Sequence, residues 1–256
     1  MKTFAIGDIH GGLKALQQLL QKLDLQTNDT IIFLGDYVDG WSESAQVIDF
    51  LLDFREVHHC IFIKGNHDLY CENWLRDGTT TDSWLFHGGT MTIKSYENYT
   101  DTKKQKHLEF IERMPLYHTD SENRLFIHAG FTSMHGPQQE VHASNYNWDR
   151  TLWEMAITVD KSIPKDSLLY PKRLQLFHEI FIGHTPTTRY KKDIPMQGCN
   201  VWNVDTGAAF TGKLTALNID TKEFIQSDSV QELYPDEKGR NDSPYKIIKK
   251  KFTDIK

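Results

Sequence analysis

The stretch TFAIGDIHGG, residues 3–12, shows the pattern that organises the first third of the chain. A short apolar run ends at Gly7, and an aspartate and a histidine follow closely. The stretches TIIFLGDYVDG, residues 30–40, and CIFIKGNHD, residues 60–68, have the same form. Compact apolar runs bounded by glycine are typical of strands buried on both faces. The sequence therefore predicts three buried strands, each of which ends in a polar loop.

Helical patterns separate these strands. Leucines recur at helical spacing over residues 13–23, and a second helical pattern covers residues 45–52, with Ser42 as its expected N-cap. Strands that alternate with helices predict parallel pairing in one sheet, and hence an α/β protein. Later strand signals, expected to form a mixed or antiparallel half, lie at residues 125–127, 180–182, 201–204 and 214–219.

Two segments depart from this rhythm. Residues 69–120 are rich in tryptophan, tyrosine, threonine, asparagine and lysine and contain helical fragments, so we expect a helical insertion or cap there. From residue 229 the chain is polar, and a lysine-rich run lies at residues 246–251. We therefore expect one domain over residues 1–228 and a polar, solvated C-terminal tail over residues 229–256.

The composition excludes several classes of protein. The chain has 256 residues, 39% of them apolar and 25% charged, which excludes a disordered or coiled-coil protein. The formal net charge of -6 gives no reason to expect a nucleic-acid partner. Three scattered cysteines cannot form a disulfide framework, and no apolar run approaches the ~20 residues that span a bilayer. We expect a cytoplasmic protein without a membrane partner, and the oligomeric state stays open.

The loops that follow the strands carry side chains that bind metals. Asp8 and His10 follow the first strand, Asp36 the second, and Asn66 and His67 the third. In an open α/β sheet, ligands bind at the carboxyl ends of the strands. We therefore expect these residues to surround one crevice.

Two further histidines fit the same rule, because His128 and His184 each follow a short apolar run and lie close to a glycine. Carboxylate, imidazole and amide oxygen together suit Mn, Fe or Zn. Six ligands exceed the needs of one tetrahedral ion, but a carboxylate that bridges two ions accounts for them. Two-metal sites serve phosphoryl hydrolysis, and their excess positive charge suits a phosphate. The candidate ligands are Asp8, His10, Asp36, Asn66, His128 and His184.

Five blocks in chain order, GDIHG, GDYVDG, GNHD, HAG and GHTP, resemble the motifs of the phosphoprotein phosphatases, a family of calcineurin-like metallophosphoesterases. The likeness covers roughly residues 3–220, and within the family the chain resembles the branch of bacterial-type serine/threonine protein phosphatases. It implies two mixed β-sheets packed as a sandwich and flanked by helices, a four-layer fold. The domain over residues 1–228 would then be the catalytic domain, with the helical insertion at residues 69–120.

The resemblance also implies roles for single residues. A first ion would be held by Asp8, His10 and Asp36, and a second by Asp36, Asn66, His128 and His184. Mn²⁺ is the expected metal, with Fe, Zn, Ni and Co as alternatives. His67 would be the general acid that protonates the leaving oxygen, and Asp39 would orient it.

The chain departs from the family pattern at the phosphate-binding positions. Where the family motif GDxVDRG carries an arginine that grips phosphate, this chain has Gly40, followed by Trp41, which we expect beside the substrate path. Arg150 follows the HAG block and is the candidate replacement, because its forked donors suit a phosphate. Asn66 is the second candidate phosphate-binding residue.

Two hydrolase hypotheses and one binding hypothesis follow. The first is a dinuclear-metal phosphomonoester hydrolase of the serine/threonine protein phosphatase type, in which a metal-bridging hydroxide attacks a phosphorylated protein or small phosphate ester. The second is a symmetrical dinucleoside tetraphosphate hydrolase, favoured by Asp68 in GNHD and by the segment that begins at Asp205, whereas Asp39 favours the phosphatases. The third is a catalytically degenerate phosphate-binding module, suggested by Gly40. Histidines outside the glycine-bearing loops, His107 among them, are expected to be solvated.

Overall fold

The computed structural model describes residues 1–241 of the chain. The strands are β1 (Thr3–Ile6), β2 (Thr30–Phe33), β3 (His59–Phe62), β4 (Tyr117–Thr119), β5 (Arg124–Ile127), β6 (Glu179–Ile182), β7 (Met196–Gly198), β8 (Val201–Asn203), β9 (Lys213–Asn218) and β10 (Phe224–Ser229). The α-helices are α1 (Leu13–Lys22), α2 (Ser44–Phe54), α3 (Asn66–Asp77), α4 (Asp82–Trp84), α5 (Thr90–Ser95), α6 (Asp101–Glu112), α7 (Asn145–Trp148), α8 (Thr151–Thr158) and α9 (Val230–Leu233). The lysine-rich run at residues 246–251 lies outside the described residues.

The strands of residues 1–241 form two mixed five-stranded sheets. The first has the order β10-β9-β1-β2-β3, in which β1, β2 and β3 are parallel as predicted. The second has the order β4-β5-β6-β8-β7, with a parallel centre and antiparallel edges. These two sheets and their flanking helices confirm the predicted α/β sandwich.

Contrary to expectation, strand β9 does not join β5, β6 and β8 in one sheet. It pairs antiparallel with β1 in the first sheet, where Leu217 lies opposite Ala5. The pairing is explained by burial on both faces of the strand. Leu214 and Ala216 pack towards the helices, whereas Leu217 packs between the sheets. Only an inner position in a covered sheet buries both faces.

Apolar contacts hold four layers together. Between the sheets, Ala5 and Ile32 of the first sheet belong to one buried cluster with Phe126 and Phe181 of the second. The rings of Phe126 and Phe181 stack with their centroids 5.0 Å apart. Helices α1 and α2 cover the outer face of the first sheet, and α8 covers the outer face of the second. The carboxyl ends of the parallel strands are thereby held at one edge of the sandwich.

Two local expectations are wrong. Ser42 does not cap α2, because its hydroxyl donates to Glu237 Oε1 at 2.6 Å and the helix begins at Ser44. His107 is not solvated but 1% exposed. Its two ring nitrogens lie 2.9 Å from the Tyr96 hydroxyl and 3.0 Å from Asp49 Oδ1, so burial leaves neither nitrogen unpaired.

The two segments that depart from the strand–helix rhythm both pack on the sandwich. Residues 69–120 contain most of α3, all of α4 to α6 and the short strand β4. Residues 229–241, expected to begin the polar tail, contain the buried side chains of Val230 and Tyr234. The division of the chain at residue 228 stays a prediction. Within residues 1–241, no helix has the length and apolarity that crossing a bilayer requires.

The partly buried carboxylate of Glu140 holds the loop between β5 and α7 through several hydrogen bonds. Glu140 accepts hydrogen bonds from the Thr132 amide at 2.5 Å, the Ser133 amide at 3.0 Å and Asn145 Nδ2 at 3.0 Å. Burial alone opposes ionisation, but these donors lower the pKa of Glu140 to about 2. A carboxyl group whose pKa falls on folding stabilises the folded state above its unfolded pKa of about 4.3. That stabilisation is lost as the pH falls towards 2.

We predict that Glu140→Gln lowers the thermal melting temperature at pH 7, because the amide lacks the charge that these donors favour. The difference from the parent protein should shrink as the pH falls from about 5 to about 2. Thermal denaturation at a series of pH values measures this difference. Glu97→Gln, at an exposed site, is the control and should leave the melting temperature unchanged. A difference that persists undiminished at pH 2.5 would contradict the assignment.

Candidate active site

The loops that follow β1, β2, β3, β5 and β6 meet around the carboxylate of Asp36. Asp36 Oδ2 lies 3.6 Å from His10 Nε2 and 3.4 Å from His128 Nε2. Asp36 Oδ1 accepts a hydrogen bond from the His67 amide at 2.9 Å. Asp8 Oδ2 lies 3.7 Å from His10 Nε2. Residues from distant parts of the chain thus meet at the carboxyl ends of the strands, as predicted.

Two groups of side chains among the described residues have the spacing of a metal site. One contains His10, Asp36 and His67, and the other contains Asp36, His128 and His184, with ligand atoms within 4.8 Å of one another in each group. Asp36 belongs to both, as expected of a bridging carboxylate. His67 stands in the first group where we expected Asp8.

Asn66 links the two histidines of the second group. Its Oδ1 lies 3.0 Å from His128 Nε2 and 2.9 Å from His184 Nδ1. The His184 backbone amide in turn donates to both carboxylate oxygens of Asp8 at 3.1 Å. All six side chains that the sequence nominated as ligands therefore lie in one buried cluster.

The histidine orientations fit divalent cations. His10 Nδ1 donates to the Asp39 carbonyl at 2.8 Å, and His128 Nδ1 donates to the Leu34 carbonyl at 2.8 Å. Such bonds fix the tautomer and leave Nε2 free to bind a metal. His184 Nε2 is buried and has no hydrogen-bond partner. The other ring nitrogen, Nδ1, lies 2.9 Å from Asn66 Oδ1 and is therefore the atom that an ion shared with Asn66 would use.

The backbone of the site is held in an uncommon conformation. The φ angles of His10, Asp36, Asp39 and His184 are 53°, 54°, 72° and 66°. Positive φ is rare outside glycine and costs on the order of 1–3 kcal/mol at each residue. Such residues cluster at functional sites, where the surrounding structure imposes the conformation. Here it turns four side chains towards one another.

Burial and neighbouring charges shift the pKa values of three groups at the cluster. Burial, reinforced by the charge of Asp36, raises the pKa of Asp8 to about 7. Burial, reinforced by Asp8, raises the pKa of Asp205 to about 8. Burial would lower the pKa of His128, but Asp36 raises it to about 10. A bound cation would favour the ionised form of these carboxyl groups, which burial alone disfavours.

The geometry of this centre agrees with comparisons to known proteins. A family model described as calcineurin-like phosphoesterase matches residues 1–208. The chain belongs to the calcineurin-like phosphoesterases. It is therefore a metal-dependent hydrolase of phosphoric esters.

Individual relatives cover most of this phosphoesterase. The asymmetrical bis(5'-nucleosyl)-tetraphosphatase PrpE of Oceanobacillus iheyensis is 29% identical over 245 residues, which cover 90% of this chain and 94% of the relative. A serine/threonine phosphatase structure from Saccharomyces cerevisiae has a TM-score of 0.59 and 15% identity, covering 90% of this chain and 80% of that one. A metallophosphoesterase structure from Sphaerobacter thermophilus has a TM-score of 0.54 and 15% identity, covering 92% and 95%. Both structures share the fold.

Two aspartates hold the loops of the phosphoesterase centre in place. Asp68 accepts hydrogen bonds from the backbone amides of Asp36, Tyr37 and Gly65 at 2.8–2.9 Å. It thereby joins the loop after β2 to the start of α3. The second aspartate, Asp39, is the predicted orienting partner of His67.

Asp39 contacts three donors through its carboxylate. Its Oδ2 lies 2.6 Å from His67 Nδ1 and 2.7 Å from Trp84 Nε1, and its Oδ1 accepts from Thr92 Oγ1 at 2.5 Å. Trp84 and Thr92 belong to the segment over residues 69–120. That segment therefore fixes the position of the His67–Asp39 pair from outside the sandwich.

A cleft of about 730 Å³ opens beside the cluster. Arg150 lines it, and its Nε is buried without a hydrogen-bond partner. Burial and the charges of Arg189 and Arg240 lower the pKa of Arg150. Phe86 and Trp148 also line the cleft, and each is 41% exposed. The cleft thus combines guanidinium groups with accessible aromatic rings.

Trp41 was expected in this cleft, and that expectation is wrong. Its side chain is 0% exposed. The indole Nε1 donates to the Ala208 carbonyl at 2.7 Å, and the ring stacks on Tyr234 with centroids 5.3 Å apart. The side chain is covered from above by residues that we expected to be a solvated tail.

Sequence reasoning missed three charged residues of the cleft: Asp205, Arg189 and Arg240. Asp205 follows β8 as the other acidic residues follow their strands, and that position was its signal. We used it only as the start of the segment that favours a tetraphosphate hydrolase. Arg189 lies beyond the GHTP block, and nothing in the sequence there indicates that its side chain points into the cleft. Arg240 lies in a polar segment with no motif.

We predict that Asp36→Asn abolishes metal binding at both groups, because one carboxylate serves each of them. Asparagine tolerates positive φ, so the loop itself should persist. Metal content by elemental analysis should fall towards zero, and turnover should fall at least about 100-fold, beyond the cost of losing a supporting residue.

The matched control is Asp53→Asn on the exposed face of α2. It should retain the metal content and the turnover of the parent protein. Two ions per chain in a correctly folded Asp36→Asn variant would show that Asp36 does not bridge them.

Proposed function

We propose that this phosphoesterase hydrolyses dinucleoside polyphosphates. The observation that carries the proposal is the cleft beside the metal-binding cluster, which contains Arg150, Arg189 and Arg240 together with Phe86 and Trp148. Its volume of about 730 Å³ is in the usual range for small-molecule sites. Guanidinium groups bind the oxygens of a polyphosphate chain, and aromatic rings stack on nucleobases.

The charge of the cleft supports an extended anion. Arg150 is close enough to Arg189 and Arg240 for their charges to lower its pKa, and its Nε has no partner. Grouped guanidinium charges are unfavourable unless an anion balances them. A chain of several phosphates carries enough negative charge to balance more than one guanidinium. A phosphomonoester has only one phosphate group and balances fewer.

The relative from Oceanobacillus iheyensis supports asymmetric cleavage. It is named an asymmetrical tetraphosphatase, and its similarity to this chain extends over 94% of its length. Asymmetric cleavage of a dinucleoside tetraphosphate yields a nucleoside triphosphate and a monophosphate, whereas symmetric cleavage yields two diphosphates. We propose the asymmetric reaction in place of the symmetric one that the sequence suggested. We also propose that the protein acts in the cytoplasm.

The roles of the residues follow from their positions. Two divalent ions, for which we propose Mn²⁺, would be held by Asp8, His10, Asp36, Asn66, His128 and His184. When bound, such ions supply positive charge and an activated water at the phosphate. Arg150 would bind non-bridging phosphoryl oxygens with its forked donors.

His67 would control the proton of the leaving group. Its Nδ1 is held by Asp39 at 2.6 Å, and the residue lines the cleft, so Nε2 is the atom available to a substrate. In this arrangement Nε2 donates a proton to the leaving oxygen, and Asp39 keeps the ring in the required orientation. Trp84 and Thr92 hold Asp39 in turn.

A phosphoprotein phosphatase is the second candidate function, and the His67–Asp39 pair favours it. The leaving group from phosphoserine is an alkoxide, a strong base that needs a proton as it departs. A nucleotide leaves as a stable phosphate anion and needs less assistance. The third hypothesis, a degenerate binding module, is disfavoured because the ligand cluster and this pair are both assembled.

A panel of substrates tests the proposal with the Mn²⁺-reconstituted protein. We predict a kcat/KM for diadenosine tetraphosphate at least about tenfold above those for a phosphoserine peptide and p-nitrophenyl phosphate, a difference of about 1.4 kcal/mol in transition-state binding. Chromatography of the products should show ATP and AMP. Two molecules of ADP would indicate symmetric cleavage, and a faster reaction with the peptide would favour the second candidate.

His67→Asn separates the two candidates further. With the phosphoserine peptide its turnover should fall by ~10²-fold or more, the size of one acid–base contribution, and with diadenosine tetraphosphate by less. Unchanged metal content confirms that the variant keeps its centre. Unchanged turnover of the peptide would remove His67 from the mechanism.

A further inference from the structure

The position of the missing phosphate-binding arginine is covered by another part of the chain. We call residues 230–241 the C-terminal strap. Tyr234 of the strap stacks on Trp41, and Glu237 accepts hydrogen bonds from the Ser42 amide at 3.0 Å and hydroxyl at 2.6 Å. The strap is therefore attached to the residues that directly follow Gly40.

Gly239 allows the strap to approach closely. Its φ is 52°, and a Cβ at this position would lie 2.7 Å from Trp41 Cζ2 and 2.9 Å from the Ala209 carbonyl oxygen. Both the backbone conformation and the space require glycine. The next residue, Arg240, donates its amide to the Ala209 carbonyl at 2.9 Å.

Arg240 passes over Gly40. A Cβ on Gly40 would lie 3.3 Å from Arg240 Cγ and 3.2 Å from the His10 carbonyl oxygen, and the φ of Gly40 is 127°. A side chain at position 40 would therefore be strained and would meet the stem of Arg240. The aliphatic part of the Arg240 side chain therefore occupies space that is free only because residue 40 is glycine.

The guanidinium of Arg240 lies at the metal-binding cluster. Its Nη1 is 3.5 Å from His10 Nε2, and its Cζ lies 5.5 Å from the centroid of the Phe210 ring. It lines the same cleft as Arg150. Two guanidinium groups, 90 residues apart in the sequence, thus face one space beside the cluster.

We infer that Arg240 is a substrate-binding residue whose guanidinium binds phosphoryl oxygens at the metal centre, and that the C-terminal strap positions this side chain over Gly40. The inference rests on phosphoric ester hydrolysis and not on the dinucleoside proposal. A guanidinium presents paired N–H donors that match two oxygens of a phosphate. The active site is then complete only when the strap is attached to Trp41.

Arg240→Ala in the full chain tests this inference with metal-reconstituted protein. Because p-nitrophenyl phosphate turnover and competitive inhibition by inorganic phosphate require no nucleotide, failure here is distinct from failure of the dinucleoside proposal. We predict that KM and the inhibition constant for phosphate rise about 10- to 100-fold, the range for one charged bidentate contact. Metal content should stay at the parent level.

Three further measurements separate binding from structural effects. Arg240→Lys should recover part of the phosphate affinity, and millimolar guanidinium chloride should restore activity to Arg240→Ala where sodium chloride does not. Gly239→Ala, which displaces the strap but keeps the guanidinium, should also weaken phosphate binding. Arg113→Ala, at an exposed arginine that does not line the cleft, is the matched control and should change none of these constants.

Three results would contradict the inference. Phosphate inhibition that is unchanged in a folded Arg240→Ala variant would show that the guanidinium does not bind substrate. Increased metal affinity or increased turnover in the same variant would show instead that Arg240 occludes the cluster. Failure of guanidinium chloride to restore a folded variant that has lost phosphate affinity would also count against it.

Discussion

The contact of one carboxylate with two imidazoles, Asp36 with His10 and His128, is the constraint on which the site depends. It forms because the parallel strands β1 and β2 of one sheet, and β5 of the other, end at the same edge of the sandwich. The left-handed backbone at Asp36 turns its side chain into this space, and Asp68 holds the backbone by accepting from the Asp36 amide. A slip of one residue in any of these loops would separate the charges.

The strand ends could be predicted from the sequence because the relevant signals are local. A buried run, a glycine and a metal-binding side chain lie within a few residues of one another at Asp8, Asp36 and Asn66, and parallel strands bring such loops together. The same logic would have indicated Asp205 after β8. The roles of His67 and Asp39 came from the resemblance, and the structure places the two side chains in contact.

Features set by tertiary contacts could not be predicted in this way. Arg240 reaches the cluster from 230 residues beyond His10, and its position depends on the stacking of Tyr234 on Trp41. Nothing in the composition of a polar segment indicates that it will pack on an indole. The burial of His107 and the loss of Ser42 as a cap have the same origin, because distant partners compete successfully for their hydrogen bonds.

The division of labour within the molecule follows from these contacts. The sandwich positions the metal-binding cluster, the segment over residues 69–120 fixes Asp39 through Trp84 and Thr92, and the strap adds a guanidinium. The chemistry belongs to the family, whereas substrate choice depends on the cleft that these additions surround. The same fold can therefore serve different phosphoric esters.

Electron paramagnetic resonance of the Mn²⁺-reconstituted protein, combined with elemental analysis, tests the shared carboxylate most directly. The account predicts two ions per chain and the exchange-coupled spectrum of a pair joined by a common ligand. A single ion per chain, or two ions with the spectrum of isolated Mn²⁺, would contradict it.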